Sequence, residues 1–275
     1  MKNDFFKRVR ACLMEDHVDQ KLSMVHSLAE YVRNQEGYIL SSLSCFDQPL
    51  SSSCNGHPDK PDLVEAVKVA KRGFGSPEGR KIMIHAIAHI EFNAINLALD
   101  AIQRFPGMPE RYYADWLRVA DEEVYHFELI RAHLRFLGAD YGDYPAHQGL
   151  WEMAEKTAGD VLERMALVPR VLEARGLDVT PGIQEKLRQA GDHHAATILD
   201  IIFADEVGHV EVGTRWFHDL CRQRNKSPEK TFFALIDKHF PQGIYGPYNT
   251  QAREQAGFSS YEIDILRHGK LKKKL

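Results

Sequence analysis

Two copies of one short pattern constrain this chain more than any other feature: Glu123-Val-Tyr-His126 and Glu206-Val-Gly-His209. Each is Glu-x-x-His. On an α-helix, positions i and i+3 share a face, so each glutamate and its histidine can approach a single point. The helix face around the first pair carries Trp116, Val119, Ala120, Phe127 and Ile130, and that around the second carries Leu199, Ile202, Phe203, Val210 and Gly213. These are core faces. A carboxylate buried in a core must be protonated, paired or bound to a metal. A single copy reads equally well as a hydrogen-bonded core pair, but two copies on two core faces favour metal.

Helical spacing surrounds both pairs. It predicts a helix from about Pro77 to Phe105, stopped by Pro106-Gly107, and a second from Pro109 to Gly138. A third begins near Leu150 and contains Pro169, Gly176 and Pro181, so it is kinked or broken. A fourth follows Gly191, capped by Asp192, and runs to about Cys221. No strand-like alternation of useful length is present. The expected class is all-α, with a four-helix bundle over 76–221, a helical extension and loop over 1–75, and a C-terminal extension over 222–275. In the leader, Phe5–Gln35 has helical spacing, Ser41–Pro61 reads as loop and Pro61–Arg72 as a short helix. In the tail, Pro228–His239 reads as helix, PQGIYGPYN as turns, and a last helix starts at Ser259.

A two-metal site among four helices needs one more glutamate from each remaining helix. On the first helix the candidate is Glu91, the one acid on a stripe of Ile84, Ile87, Ala88, Ala94, Ile95 and Ala98. It lies 32 residues before Glu123, which puts the two at similar height on antiparallel helices. On the third helix Glu173, 33 residues before Glu206, nearly repeats that spacing, and its preceding face of Leu162, Ala166 and Pro169 is core-like. Glu163 is the alternative, 43 residues before Glu206, with the polar neighbours Lys156, Asp160 and Arg170. Glu173 is preferred. Four carboxylates offset the charge of two divalent ions, and two imidazoles complete an oxygen-rich set that suits iron, with manganese as the alternative, better than structural zinc.

In the order Glu91, Glu123-x-x-His126, Glu173, Glu206-x-x-His209, the chain resembles the ferritin-like di-iron carboxylate superfamily. The resemblance implies that an acid just before the second motif supports a ligand histidine of the other. Asp205 stands there, and Glu122 holds the equivalent place before the first, with a surface salt bridge as the alternative reading of each. More closely, the stretches HAIAHIEFNAINLALDAIQRFPGMP, DEEVYHF, YGDYPAHQGLW, RMALVPRVLEARGLDVTP, DEVGHVEVGTRWF and GPYNTQAREQAGF are similar to a ferritin-like family known as domain of unknown function 455, related to the tRNA-hydroxylase branch of di-iron proteins. That likeness spans roughly 80–260 and also favours Glu173. It implies a fold and a metal site, and names no substrate.

Composition narrows the function classes. A net charge of -4 gives no basic footprint, so nucleic acid is not an expected partner. The basic tail Lys270–Leu275 reads as a solvated terminus. The charged start of the chain has no signal-peptide core, and no apolar run is expected to span a membrane. Cys12, Cys45, Cys54 and Cys221 form no C-x-x-C pair, so free thiols in a cytoplasmic protein are expected. His85 and His89 read as packed or exposed side chains, with a proton path or outer-shell role as the alternative. His193-His194 reads as surface, Trp116, Trp151 and Trp216 as core, and Arg170 and Arg175, which flank Glu173, as a structural ion pair, with substrate-anion binding as the alternative. The expected function is a di-iron oxidoreductase that activates dioxygen to oxidise or hydroxylate a small molecule or modified nucleoside, drawing on an electron donor. A ferroxidase without organic substrate is the alternative, and a metal-free helical scaffold a third reading.

Overall fold

In the computed structural model, the structure describes residues 4–34, 56–65, 68–69 and 73–268. The chain divides into two compact units, Met1–Glu155 and Lys156–Leu275. Among the described residues the secondary structure is helical, apart from one isolated bridge between Leu63 and Ala146.

The first unit contains α1 (Asp4–Met14), α2 (Val18–Asn34), α3 (Pro77–Arg104), α4 (Glu110–Phe136) and α5 (Gly149–Lys156). Its centre is the hairpin of α3 and α4. Ser76 caps α3 by accepting from the Gly79 N–H at 3.1 Å, and Pro77 takes the first helical position, where its missing N–H costs nothing. The hairpin reverses at Pro106-Gly107, where Gly107 adopts φ +82°, a conformation open to glycine. Tyr112 and Tyr113 donate back to the carbonyls of Ala101 and Phe105, tying the start of α4 to the end of α3. Ile84, Ala88, Ile95 and Leu99 of α3 and Val124, Phe127, Ile130 and Leu134 of α4 are buried. α3 is long and apolar enough to cross a membrane by length and composition, but 78% of that stretch is buried inside the protein.

The leader packs on this hairpin, α1 on α3 and α2 on α4. Asp121 on α4 receives His26 at 3.0 Å and Arg33 at 2.8 Å, both from α2. Lys21 is fully buried, donating to the Leu13 carbonyl at 2.9 Å and to Asn96 Oδ1 at 2.6 Å. Burial lowers its pKa to about 7. The single helical run expected over Phe5–Gln35 is broken at 15–17, where the Glu15 carboxylate accepts from the His17 N–H. The helix expected over Pro61–Arg72 is not seen in its described part. There 61–65 is non-helical, with Val64 N–H bonded to the Ala146 carbonyl at 2.8 Å, an edge pairing that competes with helix formation. Most of Ser41–Pro61, Cys45, Cys54 and the basic tail lie outside the described residues, while Cys12 and Cys221 are free and buried.

The second unit holds α6 (Val161–Leu167), a π-helical segment (Val168–Glu173), α7 (Ala174–Gln189), α8 (His193–Gln223), α9 (Pro228–His239), α10 (Thr250–Gln255) and α11 (Ser260–His268). The third helix of the sequence reading is thus broken at 157–160 and wound one residue wider across Pro169. Pro181 lies inside α7. Asp192 caps α8 by accepting from Ala195 N–H at 3.1 Å, as its position before the helix predicts. A short turn with Gly191 at φ +79° makes α7 and α8 antiparallel neighbours. Gln184 on α7 bonds Asp200 on α8, and further along Pro169 lies against Gly213, where any Cβ would overlap the proline ring.

Candidate metal centre

In the first unit, α3 and α4 bring three of the predicted side chains together. His126 presents Nδ1 to Glu123 Oε2 at 3.3 Å and to Glu91 Oε2 at 3.4 Å. The three side chains are 0%, 1% and 5% exposed, so this group of two acids and one imidazole is sealed from solvent. Burial alone would depress the His126 pKa. Hydrogen bonds and charge from Glu123 and Glu91 outweigh it and raise the imidazole to about 11. With no metal, the two carboxylates therefore hold a proton on this ring.

The second unit repeats half of the arrangement on one helix. His209, fully buried, presents Nδ1 to Glu206 Oε2 at 3.6 Å, and Glu206 is 13% exposed. Glu173 closes the π-helical segment. Because Pro169 faces Gly213 on the antiparallel α8, moving one turn on from Pro169 and one turn back from Gly213 puts Glu173 level with His209. Glu163 is placed elsewhere, held by Lys238 at 2.7 Å and His239 at 2.9 Å from α9. Those partners lower its pKa against the opposing effect of burial.

The donor chemistry fits a metal. The pairs Glu123/His126 and Glu206/His209 are ligand types that could hold an ion. Two donors on one ion, each at about 2 Å and near a right angle, end up about 3 Å apart, close to the separations around His126. In both motifs the same ring atom, Nδ1, faces the glutamate. Of the two expected supporting acids, Glu122 accepts from Arg118 at 2.8 Å, one turn back on α4, and Asp205 is half-buried on α8.

His85 and His89 are packed rather than exposed. His85 Nε2 accepts from the Gly142 N–H at 2.9 Å and stacks on Tyr141; His89 bonds the Tyr141 hydroxyl at 3.0 Å. Burial lowers their pKa values to about 4 and about 3, so both stay neutral at pH 7. His193 and His194 are exposed, and the three tryptophans are buried. Arg170 pairs with Glu262 at 2.8 Å, and Arg175 lies 3.7 Å from Asp178.

The sequence reading missed Lys21 and the buried groups of the C-terminal extension, Arg253 and Glu262. For Glu262 a signal existed. Ser259-Ser-Tyr-Glu262 is a capping box, in which Ser259 Oγ accepts from the Glu262 N–H at 3.2 Å and Glu262 Oε2 accepts from the Ser259 N–H at 2.9 Å. α10 also carried one, Asn249 as a cap and Gly257 at φ +86° beyond its end.

No solved structure matches this chain. It is 46% identical over 270 residues to an uncharacterized protein of Haemophilus influenzae, covering 95% of this chain and 93% of that one. The family model described as protein of unknown function DUF455 matches residues 14–264, and the chain belongs to that family.

Proposed function

We propose that this protein is a di-iron carboxylate oxidoreductase, with iron held by Glu91, Glu123 and His126 in the first unit and by Glu173, Glu206 and His209 in the second. In this reading α3, α4, α7 and α8 are the four helices of a ferritin-like bundle. The observation that carries it is the sealed group in the first unit: two glutamates from different helices converge on one histidine Nδ1. The second unit's Glu206 and His209 repeat the motif with the same ring atom inward. Bound iron would supply electrons for reducing dioxygen and the means to oxidise or hydroxylate a substrate.

The chain's own contributions follow from the residues. Four carboxylates offset the charge of two divalent ions, and His126 accepts ligand duty only after giving up the proton its neighbours retain. Phe127, Ile130, Ala88 and Ile95 keep water away from the first group. Asp205 and Glu122 would orient ligand imidazoles. The substrate class we assign is a small molecule or modified nucleoside, with manganese the alternative metal. The test is to load metal-free protein with ferrous ion without air and then admit oxygen. Oxygen uptake at about one molecule per two irons, with a transient visible absorption absent from Glu91→Gln, supports the proposal. Uptake no faster than that of free ferrous ion overturns it.

A further inference from the structure

Glu173 sits at the end of a π-helical segment, a winding that alters the register of everything after it. Relaxing such a bulge to α by one residue would turn a side chain about 100° around the axis. Something must hold the winding, and besides α8 the C-terminal extension makes contacts on both sides of Glu173.

After Glu173, Pro181 has no N–H to give the Leu177 carbonyl four residues back. Asn249 fills that gap, donating from Nδ2 to the Leu177 carbonyl at 3.2 Å. Its N–H donates to Asp178 Oδ1 at 2.9 Å, and its Oδ1 caps α10 by accepting from Ala252 N–H. Arg253, 1% exposed, grips both Asp178 oxygens at 2.9 and 2.7 Å and reaches the Ala174 carbonyl at 3.4 Å. Before Glu173, Arg170 pairs with Glu262 and donates to Thr214 Oγ1 at 3.2 Å. Its guanidinium lies 4.1 to 4.7 Å from the rings of Phe232, Phe258 and Phe217. Phe258 is shared, with Arg253 4.9 Å from the same ring.

We propose that the C-terminal extension, through Asn249, Arg253 and Glu262, is a clamp that fixes the winding of 168–178 and thereby positions Glu173 for metal. The proposal rests on the assignment of Glu173 as a ligand. Asn249, Arg253 and Glu262 are positioning residues. The clamp uses a backbone carbonyl that a proline has left without its helical donor, so its removal can be compensated at the proline.

The test uses the full chain as Asn249→Ser, which keeps the cap of α10 but cannot span to Leu177, and as the double variant with Pro181→Ala, which restores the helix's own donor. Two quantities are read: amide hydrogen exchange over 168–178 in metal-free protein, and anaerobic binding of ferrous ion. Asn249→Ser should exchange faster and bind one of two irons about ten-fold more weakly, the other unchanged, and the double variant should recover both. Native-like iron binding in Asn249→Ser, or a double variant that recovers neither quantity, overturns the clamp while leaving the proposed metal centre standing. If the unaltered protein binds no iron, the metal centre falls and the clamp's role falls with it. Should Asn249→Ser lose its helical signal, Arg253→Lys is read against the unaltered protein, since it keeps the charge beside Asp178 but gives up the Ala174 contact: faster exchange with weaker binding of one iron supports the clamp, and native-like values of both overturn it.

Discussion

Replacing Glu123 or Glu206 by alanine is expected to lower the iron retained after anaerobic loading from about two per chain to one or fewer, with helical content preserved. Each glutamate is the i−3 partner of its histidine, 3.3 Å from His126 in one case and 3.6 Å from His209 in the other. Loss of a carboxylate removes both a donor and the charge that makes a buried dication tolerable. Loading should also strengthen as pH rises, by up to about ten-fold per unit, because His126 must release a proton to bind. The same proton sets how the metal-free protein responds to alkali. A histidine raised from 6.5 to about 11 gives its full stabilisation below pH 6.5, and that stabilisation declines as pH climbs through about 11. Metal-free protein should therefore be more sensitive to alkali than loaded protein, and Glu123→Ala should lessen that difference. Elemental analysis after gel filtration checks the metal content, and denaturation across pH checks the rest. Unchanged iron in both alanine variants would remove these residues from the site.

Glu262→Ala is expected to cost about 3–5 kcal/mol of stability, the range for stripping one partner from a buried ion pair. Arg170 is fully buried and Glu262 1% exposed, so the guanidinium would keep its charge with no acid against it. Glu262 also closes the capping box of α11, which adds to the loss. Glu262→Gln retains a hydrogen-bond acceptor for Arg170 and should lose less. The double change Arg170→Met with Glu262→Leu should recover much of the difference, since the pair's own desolvation cost disappears with it. Urea unfolding measures all three. A loss below about 1 kcal/mol in Glu262→Ala would mean that the three rings around Arg170, not the acid, satisfy its charge.

What the sequence made legible follows a physical rule. Helices with strong local punctuation were readable to within about two residues: Ser76-Pro77 and Pro106-Gly107 bound α3, Asp192 starts α8, and Ser227-Pro228 starts α9. The apolar stripe around Glu91 and the face around Glu123 predicted burial, because periodicity reports which side of a helix meets the core. The π winding over Val168–Glu173 was not readable. Pro169 signals a kink without saying whether the helix breaks or widens. Lys21 and Arg253 were illegible for another reason. A basic residue on a helix reads as solvent-facing, and only distant partners reverse that: Leu13 and Asn96 for Lys21, Asp178 for Arg253. The break at 15–17 escaped because its cause, a side chain bonding the backbone two residues on, competes locally with the helix.

The central claim is that six named side chains hold a pair of irons, and anomalous diffraction at the iron edge from crystals loaded without air tests it most directly. The account predicts two peaks, one beside Glu91, Glu123 and His126 and the other beside Glu173, Glu206 and His209. Density with no peak at either group, or iron bound only at surface acids, would contradict it.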